Sequence, residues 1–117
     1  IKEICYIHAE GYSSSALKHG PFALVEENLP IIILDIGDKN REKNRNAYEE
    51  LISRKANVIY ITDKQTDIEN HILIENNEIF GGVIANICIQ LIGYYKAVEN
   101  NINPDFPRNL AKVVTVE

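Results

Sequence analysis

Two apolar runs, "PIIILDI" at 30–36 and "NVIYITD" at 57–63, constrain the fold more than any other feature of this chain. Neither run alternates polar with apolar residues. Each therefore predicts a strand covered on both faces, as in a parallel sheet. A shorter run, "HILIE" at 71–75, predicts a third strand. Between the first two lies "GDKNREKNRNAYEELISRK", with Asp38 or Asn40 placed to cap a helix and an apolar stripe at Ala47, Tyr48, Leu51 and Ile52. Strands alternating with helices predict a three-layer α/β/α sandwich with a mostly parallel sheet. In such sheets the working groups sit on loops at the carboxyl edge of the strands.

The flanks add helices. Ile1, Ile4, Cys5, His8 and Tyr12 fall at helical spacings on one face, and Gly11 breaks the pattern. Ser13, Ser14 and Ser15 can cap a short second helix through Leu17 and Lys18, which "HGP" at 19–21 ends. A long helix is predicted from about Glu78 to Asn100, broken by "NPDFP". The 117 residues suit one domain. The chain opens in a helical pattern with no strand before it, so the expectation is an incomplete α/β unit, a piece of a larger protein.

Composition excludes several functions. Twelve basic and seventeen acidic residues give a formal charge of −5, which argues against nucleic acid or an anionic membrane as the main partner. Arg41, Lys43 and Arg45 lie close together, but Glu42, Glu49 and Glu50 dilute them, and they read as a solvated helix face. Cys5 and Cys88 are far apart in apolar settings and read as buried reduced thiols of a cytoplasmic protein. The three histidines, His8, His19 and His71, have no metal-ligand spacing, so no metal is expected. The segment from Ile79 to Tyr95 is apolar but short for a membrane span, and Asn86 and Gln90 interrupt it. It reads as a helix buried in a core or an oligomer interface.

The tail "FPRNLAKVVTVE" sets one lysine, Lys112, among Leu110, Ala111, Val113 and Val114. A lysine among apolar neighbours loses its proton more easily and can attack a ketone. On its own it equally fits an edge-strand lysine that discourages aggregation. Glu3 alone reads as a surface carboxylate, and His19 alone as a solvated loop imidazole.

Together the residues "KEICYIHAEGYSSSALKHGPFALVEENLPIIIL" and "PRNLAKVVTVE" resemble the carboxyl-terminal end of the glutamine–fructose-6-phosphate aminotransferases, also called glucosamine-6-phosphate synthases. The resemblance runs the length of the chain and is most specific at its two ends. It implies the second sugar-isomerase (SIS) half of the isomerase domain, flavodoxin-like, over residues 1–117, with a catalytic tail at about 103–117. It implies that the first SIS half and an amino-terminal glutaminase domain belong to the same polypeptide. A homodimer with its sites at the subunit boundary is also implied, and no cofactor.

The implied reaction converts fructose 6-phosphate and glutamine-derived ammonia to glucosamine 6-phosphate. Three roles carry over. Glu3 would move a proton from C1 to C2 of the sugar, with a pKa raised towards neutrality by partial burial. His19 would open the ring, acting from the neighbouring subunit. Lys112 would form a Schiff base at C2, with the backbone of Ala111 beside the sugar. His8 and Glu10 would support helix and interface, and Arg108 and Asn109 would pin the tail. Pro104 and Pro107 would stiffen its approach. The apolar tail would also shield the reacting imine from water. Three other readings fit parts of the sequence. They are a non-catalytic sugar-phosphate-binding SIS module, a sugar-phosphate isomerase or deglycase without a glutaminase, and a receiver-like signalling domain.

Overall fold

A computed structural model describes residues 1–109. The chain divides into two compact units. The larger is Gly11–Ala85, and the smaller joins Ile1–Glu10 to the segment from Asn86 onward.

The larger unit is built on three parallel strands, β1 (Pro30–Asp35), β2 (Asn57–Thr62) and β3 (His71–Leu73), in the order β1-β2-β3. Pro30 pairs with Asn57 and Asp35 with Thr62; Tyr60 to Thr62 pair with His71 to Leu73. Helix α2 (Arg41–Ile52) makes the crossover from β1 to β2. Asn40 precedes it, but its side chain makes no capping hydrogen bond.

The register sets the core. Ile31, Ile33, Val58 and Tyr60 share one face of the sheet. Ile33, Leu51, Ala56, Val58, Tyr60 and Ile68 form a buried cluster there, with Leu17, Phe22 and Tyr48 packed against it. Leu51 is 1% exposed, and burying it stabilises the fold by about 2–3 kcal/mol. Tyr48 meets Tyr60 edge-on at 5.6 Å between ring centroids.

The opposite face carries Ile32, Leu34, Ile59, Ile61 and Ile72. Ile61 is fully buried while Leu34 is 42% exposed. The expectation of strands covered on both faces therefore holds for most of β2 and fails at Leu34 of β1. This apolar face is the one that a third layer would cover.

The segment after the serines forms two 3-10 turns, Leu17–His19 and Pro21–Leu24, rather than an α-helix. Gly20 joins them at φ +139°, a conformation that rejects a side chain. Pro21 thus starts a turn as well as ending one.

In the smaller unit α1 (Lys2–Cys5) has only four residues. The expected helical face to Tyr12 stops because Tyr6 adopts the left-handed conformation, φ 56° and ψ 30°, and its N–H closes on the carbonyl of Lys2. That geometry costs an L-residue about 1–2 kcal/mol. Helix α3 (Gly81–Glu99) begins in the larger unit and continues in the smaller. Cys5 is 3% exposed, and its thiol donates to the carbonyl of Gly93 at 3.0 Å. A methyl group at Gly93 would lie 3.3 Å from Ile4 Cδ1, so the bare backbone permits this approach.

Burial in a core, one of the two expectations for the apolar helix, is only partly met. Ala85 and Ala97 are fully buried, but Val83, Ile87, Leu91, Tyr94 and Val98 are each about half exposed. Ile84, Ile89 and Ile92 lie between these extremes, half-buried. By length and composition α3 is the one helix among the described residues that could cross a membrane.

Candidate functional site

At the carboxyl edge of the sheet, β1 ends on Asp35 and β2 runs into Asp63. Their side chains are only 3% and 2% exposed. Two buried carboxylates on adjacent parallel strands would repel each other. Arg41, in the first turn of α2, resolves this. It donates from Nη1 to Asp35 Oδ2 at 2.8 Å and from Nη2 to Asp63 Oδ1 at 2.7 Å. Its Nε also donates to Asp38 Oδ1 at 3.2 Å.

The remaining lone pairs are met by neutral groups. Asn44 Nδ2 donates to Asp35 Oδ1 at 2.9 Å, and Ser14 in turn donates its hydroxyl to Asn44 Oδ1. The Gly37 N–H and Asn76 Nδ2 donate to Asp63 Oδ2 at 3.0 and 3.1 Å. Gly37 reaches that position at φ +69°. Among the described residues no buried side-chain nitrogen or oxygen lacks a partner.

Burial pushes the Asp63 carboxyl upward. The hydrogen bonds from Arg41 and Gly37, with the guanidinium charge, outweigh it and hold the group below the usual carboxylate range. Burial likewise opposes the charge on Arg41, yet Asp63 and Asp35 leave its pKa raised. Burial and the neighbouring Asp35 charge push the Tyr60 phenol upward. The cluster is a closed ion-pair network that ties both strand ends to α2.

The reading of Arg41 as part of a solvated face is therefore corrected. Its side chain is 24% exposed because two strand-end acids draw it inward. Arg45 fits that reading better: it pairs on the surface with Glu49 and Asp67. The signal that could have found the cluster was an Asp at the end of each apolar run, with an arginine six residues past the first.

The sequence-predicted site residues lie elsewhere. Glu3 sits in α1 and is exposed, so partial burial does not come from the described residues of this chain. A helix of one turn has too little surface to cover it. His19 ends the first 3-10 turn, also exposed, in the other compact unit. Ala111 and Lys112 lie outside the described residues. His8 is exposed and 3.6 Å from Glu10, which also meets Lys2 at 3.5 Å. Both lie past the end of α1 and do not support a helix. Arg108 contacts Tyr6 through its backbone N–H and its guanidinium, while the tail it was expected to pin lies outside the described residues.

An open cleft of about 540 Å³ runs along α2 in the larger unit, lined by Ser14, Ser15, Lys18, Lys43, Glu50 and Ser53 among others. Lys18, the residue before His19, pairs with Glu50 there at 2.6 Å. Both cysteines are free, Cys5 buried and Cys88 half-buried. No group of acidic, histidine or cysteine side chains among the described residues could hold a metal ion.

A parallel sheet with polar groups gathered at its carboxyl edge defines an α/β protein of the flavodoxin-like kind. The chain belongs to the SIS domain family, which matches residues 1–91. It is 50% identical to a probable glutamine–fructose-6-phosphate aminotransferase (isomerizing) of Acanthamoeba polyphaga mimivirus, over 100% of this chain and 20% of that protein. It is 41% identical to the enzyme of that name from Encephalitozoon cuniculi, over 100% of this chain and 18% of that protein. The chain thus spans about a fifth of the length of the curated relatives it matches. Among solved structures it resembles the C-terminal domain of glucosamine-fructose-6-phosphate aminotransferase from Francisella tularensis. There the TM-score is 0.77 and the identity 31%, covering 87% of this chain and 31% of that one.

Proposed function

We propose that this chain is the carboxyl-terminal part of the isomerase domain of a cytoplasmic, homodimeric glutamine–fructose-6-phosphate aminotransferase. The whole protein would then also carry a first SIS half and a glutaminase domain. The observation that carries the reading is 50% identity over the full chain to a relative of that name.

Lys112 Nζ attacks C2 of open-chain fructose 6-phosphate, loses water and leaves an imine. Ammonia from glutamine then displaces the lysine. Glu3 takes a proton from C1 and returns it to C2, and loss of the C1 hydroxyl proton leaves the aldehyde of glucosamine 6-phosphate. His19 opens the ring beforehand, protonating the ring oxygen and accepting the anomeric proton. Because Glu3 is exposed here, its enclosure around the sugar comes from outside the described residues, at the subunit boundary.

In the full-length enzyme, borohydride added with fructose 6-phosphate traps the sugar on Lys112. Absence of an adduct removes the imine mechanism. Mixing inactive Glu3→Gln subunits with inactive His19→Ala subunits restores part of the activity if His19 acts across the dimer. No recovery places the site within one subunit. A second reading, a non-catalytic sugar-phosphate-binding SIS module, is favoured by one observation: the family match stops at residue 91, before the tail. Sugar-phosphate binding without turnover in the full-length protein would select it.

A further inference from the structure

We propose that Glu50, in the last turn of α2, and Arg54, just beyond it, are positioning residues for His19. They clasp the chain on either side of the imidazole. The inference rests on the ring-opening role proposed above for His19. Neither the family match nor the relatives' names assign these two residues.

Three contacts within the larger unit carry it. The segment that holds His19 runs beside α2 and touches it, or the residues just after it, at every fourth position. Ser14 donates its hydroxyl to Asn44 Oδ1. Lys18 Nζ lies 2.6 Å from Glu50 Oε1. The Arg54 guanidinium lies over the Phe22 ring, 4.0 Å from its centroid. Arg54 is steadied in turn, since its Nη1 donates to the Glu50 carbonyl at 3.0 Å.

Between these points the segment does not lie flush on the helix. The open cleft of about 540 Å³ runs there, lined by Ser15 and Leu17 from the segment and by Asn46 and Ala47 from α2. The two 3-10 turns are therefore held at points rather than along their length. Two of the three points flank His19, one residue before it and three residues after it. Gly20 lies between them at φ +139°, where the first turn gives way to the second. His19 itself is exposed, so burial does not fix its ring. Its N–H donates to the Ala16 carbonyl at 3.0 Å, inside the same segment. Where the imidazole stands is thus set by where the turns are clasped.

A substrate that needs no ring opening separates this role from general damage. The C5 hydroxyl of fructose 6-phosphate closes the ring on C2, so 5-deoxyfructose 6-phosphate stays open-chain. In the full-length enzyme, Glu50→Ala combined with Arg54→Ala should lower kcat/KM for fructose 6-phosphate about three- to tenfold, the range set by one exposed ion pair and one exposed cation–π contact. For the 5-deoxy analogue kcat/KM should stay within about 1.5-fold, because the imidazole has no ring to open. Amide hydrogen exchange in the 17–25 peptide should quicken in the same variant.

Unchanged exchange overturns the clasp. Faster exchange with kcat/KM for fructose 6-phosphate unaltered overturns the positioning role. Equal losses on both substrates overturn it in favour of a general structural role. His19→Ala tests the reading underneath: it should lose fructose 6-phosphate and spare the analogue. If His19→Ala loses both equally, the ring-opening role has failed and the proposal fails with it. If His19→Ala is selective and the double variant is not, the positioning role alone is overturned.

Discussion

Replacing Arg41 by methionine tests the electrostatics of the sheet edge. The substitution keeps an unbranched apolar stem and removes the charge that Asp35 and Asp63 share at 2.8 and 2.7 Å. Two carboxylates, 3% and 2% exposed, would then remain without a cation. Breaking a buried pair by removing one partner costs about 3–5 kcal/mol. The donors that stay, Asn44 on Asp35 and Gly37 and Asn76 on Asp63, place the expected cost near the lower end, about 3 kcal/mol.

The pH dependence has a definite sign. In the native protein Asp63 titrates below its unfolded value. Its contribution is therefore complete above about pH 4 and disappears as pH falls through the lower, folded pKa. In the variant the same carboxyl is buried without its cation, and its folded pKa rises above the unfolded one. That penalty is full at pH 7 and relaxes on acidification, by about 1.4 kcal/mol for each pH unit that separates the folded and unfolded titrations. Urea unfolding at pH 7 and pH 5 should show the two proteins converging as the pH drops. A deficit below about 1 kcal/mol at pH 7 would refute the ion-pair account, and so would a deficit that does not change with pH.

Other positions give independent tests. Leu51→Ala, at the centre of the cluster between α2 and the sheet, should lower stability by about 2–5 kcal/mol in the same unfolding assay. Gly81→Ala would put a methyl 2.7 Å from Ile36 Cγ2. It should cost about 1–3 kcal/mol, and Ile36→Leu in the same chain, which removes the Cγ2 methyl, should recover part of the loss. Ser14→Ala removes the hydroxyl that donates to Asn44 and should cost about 1 kcal/mol. Its effect should be less than additive with Asn44→Ala, because the two share one network.

The strands were legible because their signal is local. The runs at 30–36, 57–63 and 71–75 became strands at 30–35, 57–62 and 71–73, parallel as expected. The helix expected over 78–100 became Gly81–Glu99. What failed to show was set by contacts distant in sequence. Apolar spacing predicted a helix running on towards Tyr12, but the turn at Tyr6 coincides with a partner at Arg108 that no local window contains. Arg41 looked like one member of a dilute basic patch, since its two acids lie six and twenty-two residues away. Glu3 and His19 stood out only through a family resemblance, because an exposed acid in a one-turn helix and an exposed imidazole in a 3-10 turn carry no signature of their own.

The fork of Arg41 between two strand ends also has an evolutionary consequence. The side chains at 35, 41 and 63 are energetically coupled, so a change at one alters the cost of a change at another. A lineage that first lost the arginine would carry two stranded acids, and one that first lost both acids would carry a stranded cation. The viable route is for an acid and the arginine to go together, leaving the other acid to its neutral donors. Relatives without a basic residue at 41 should therefore also lack a carboxylate at 35 or at 63.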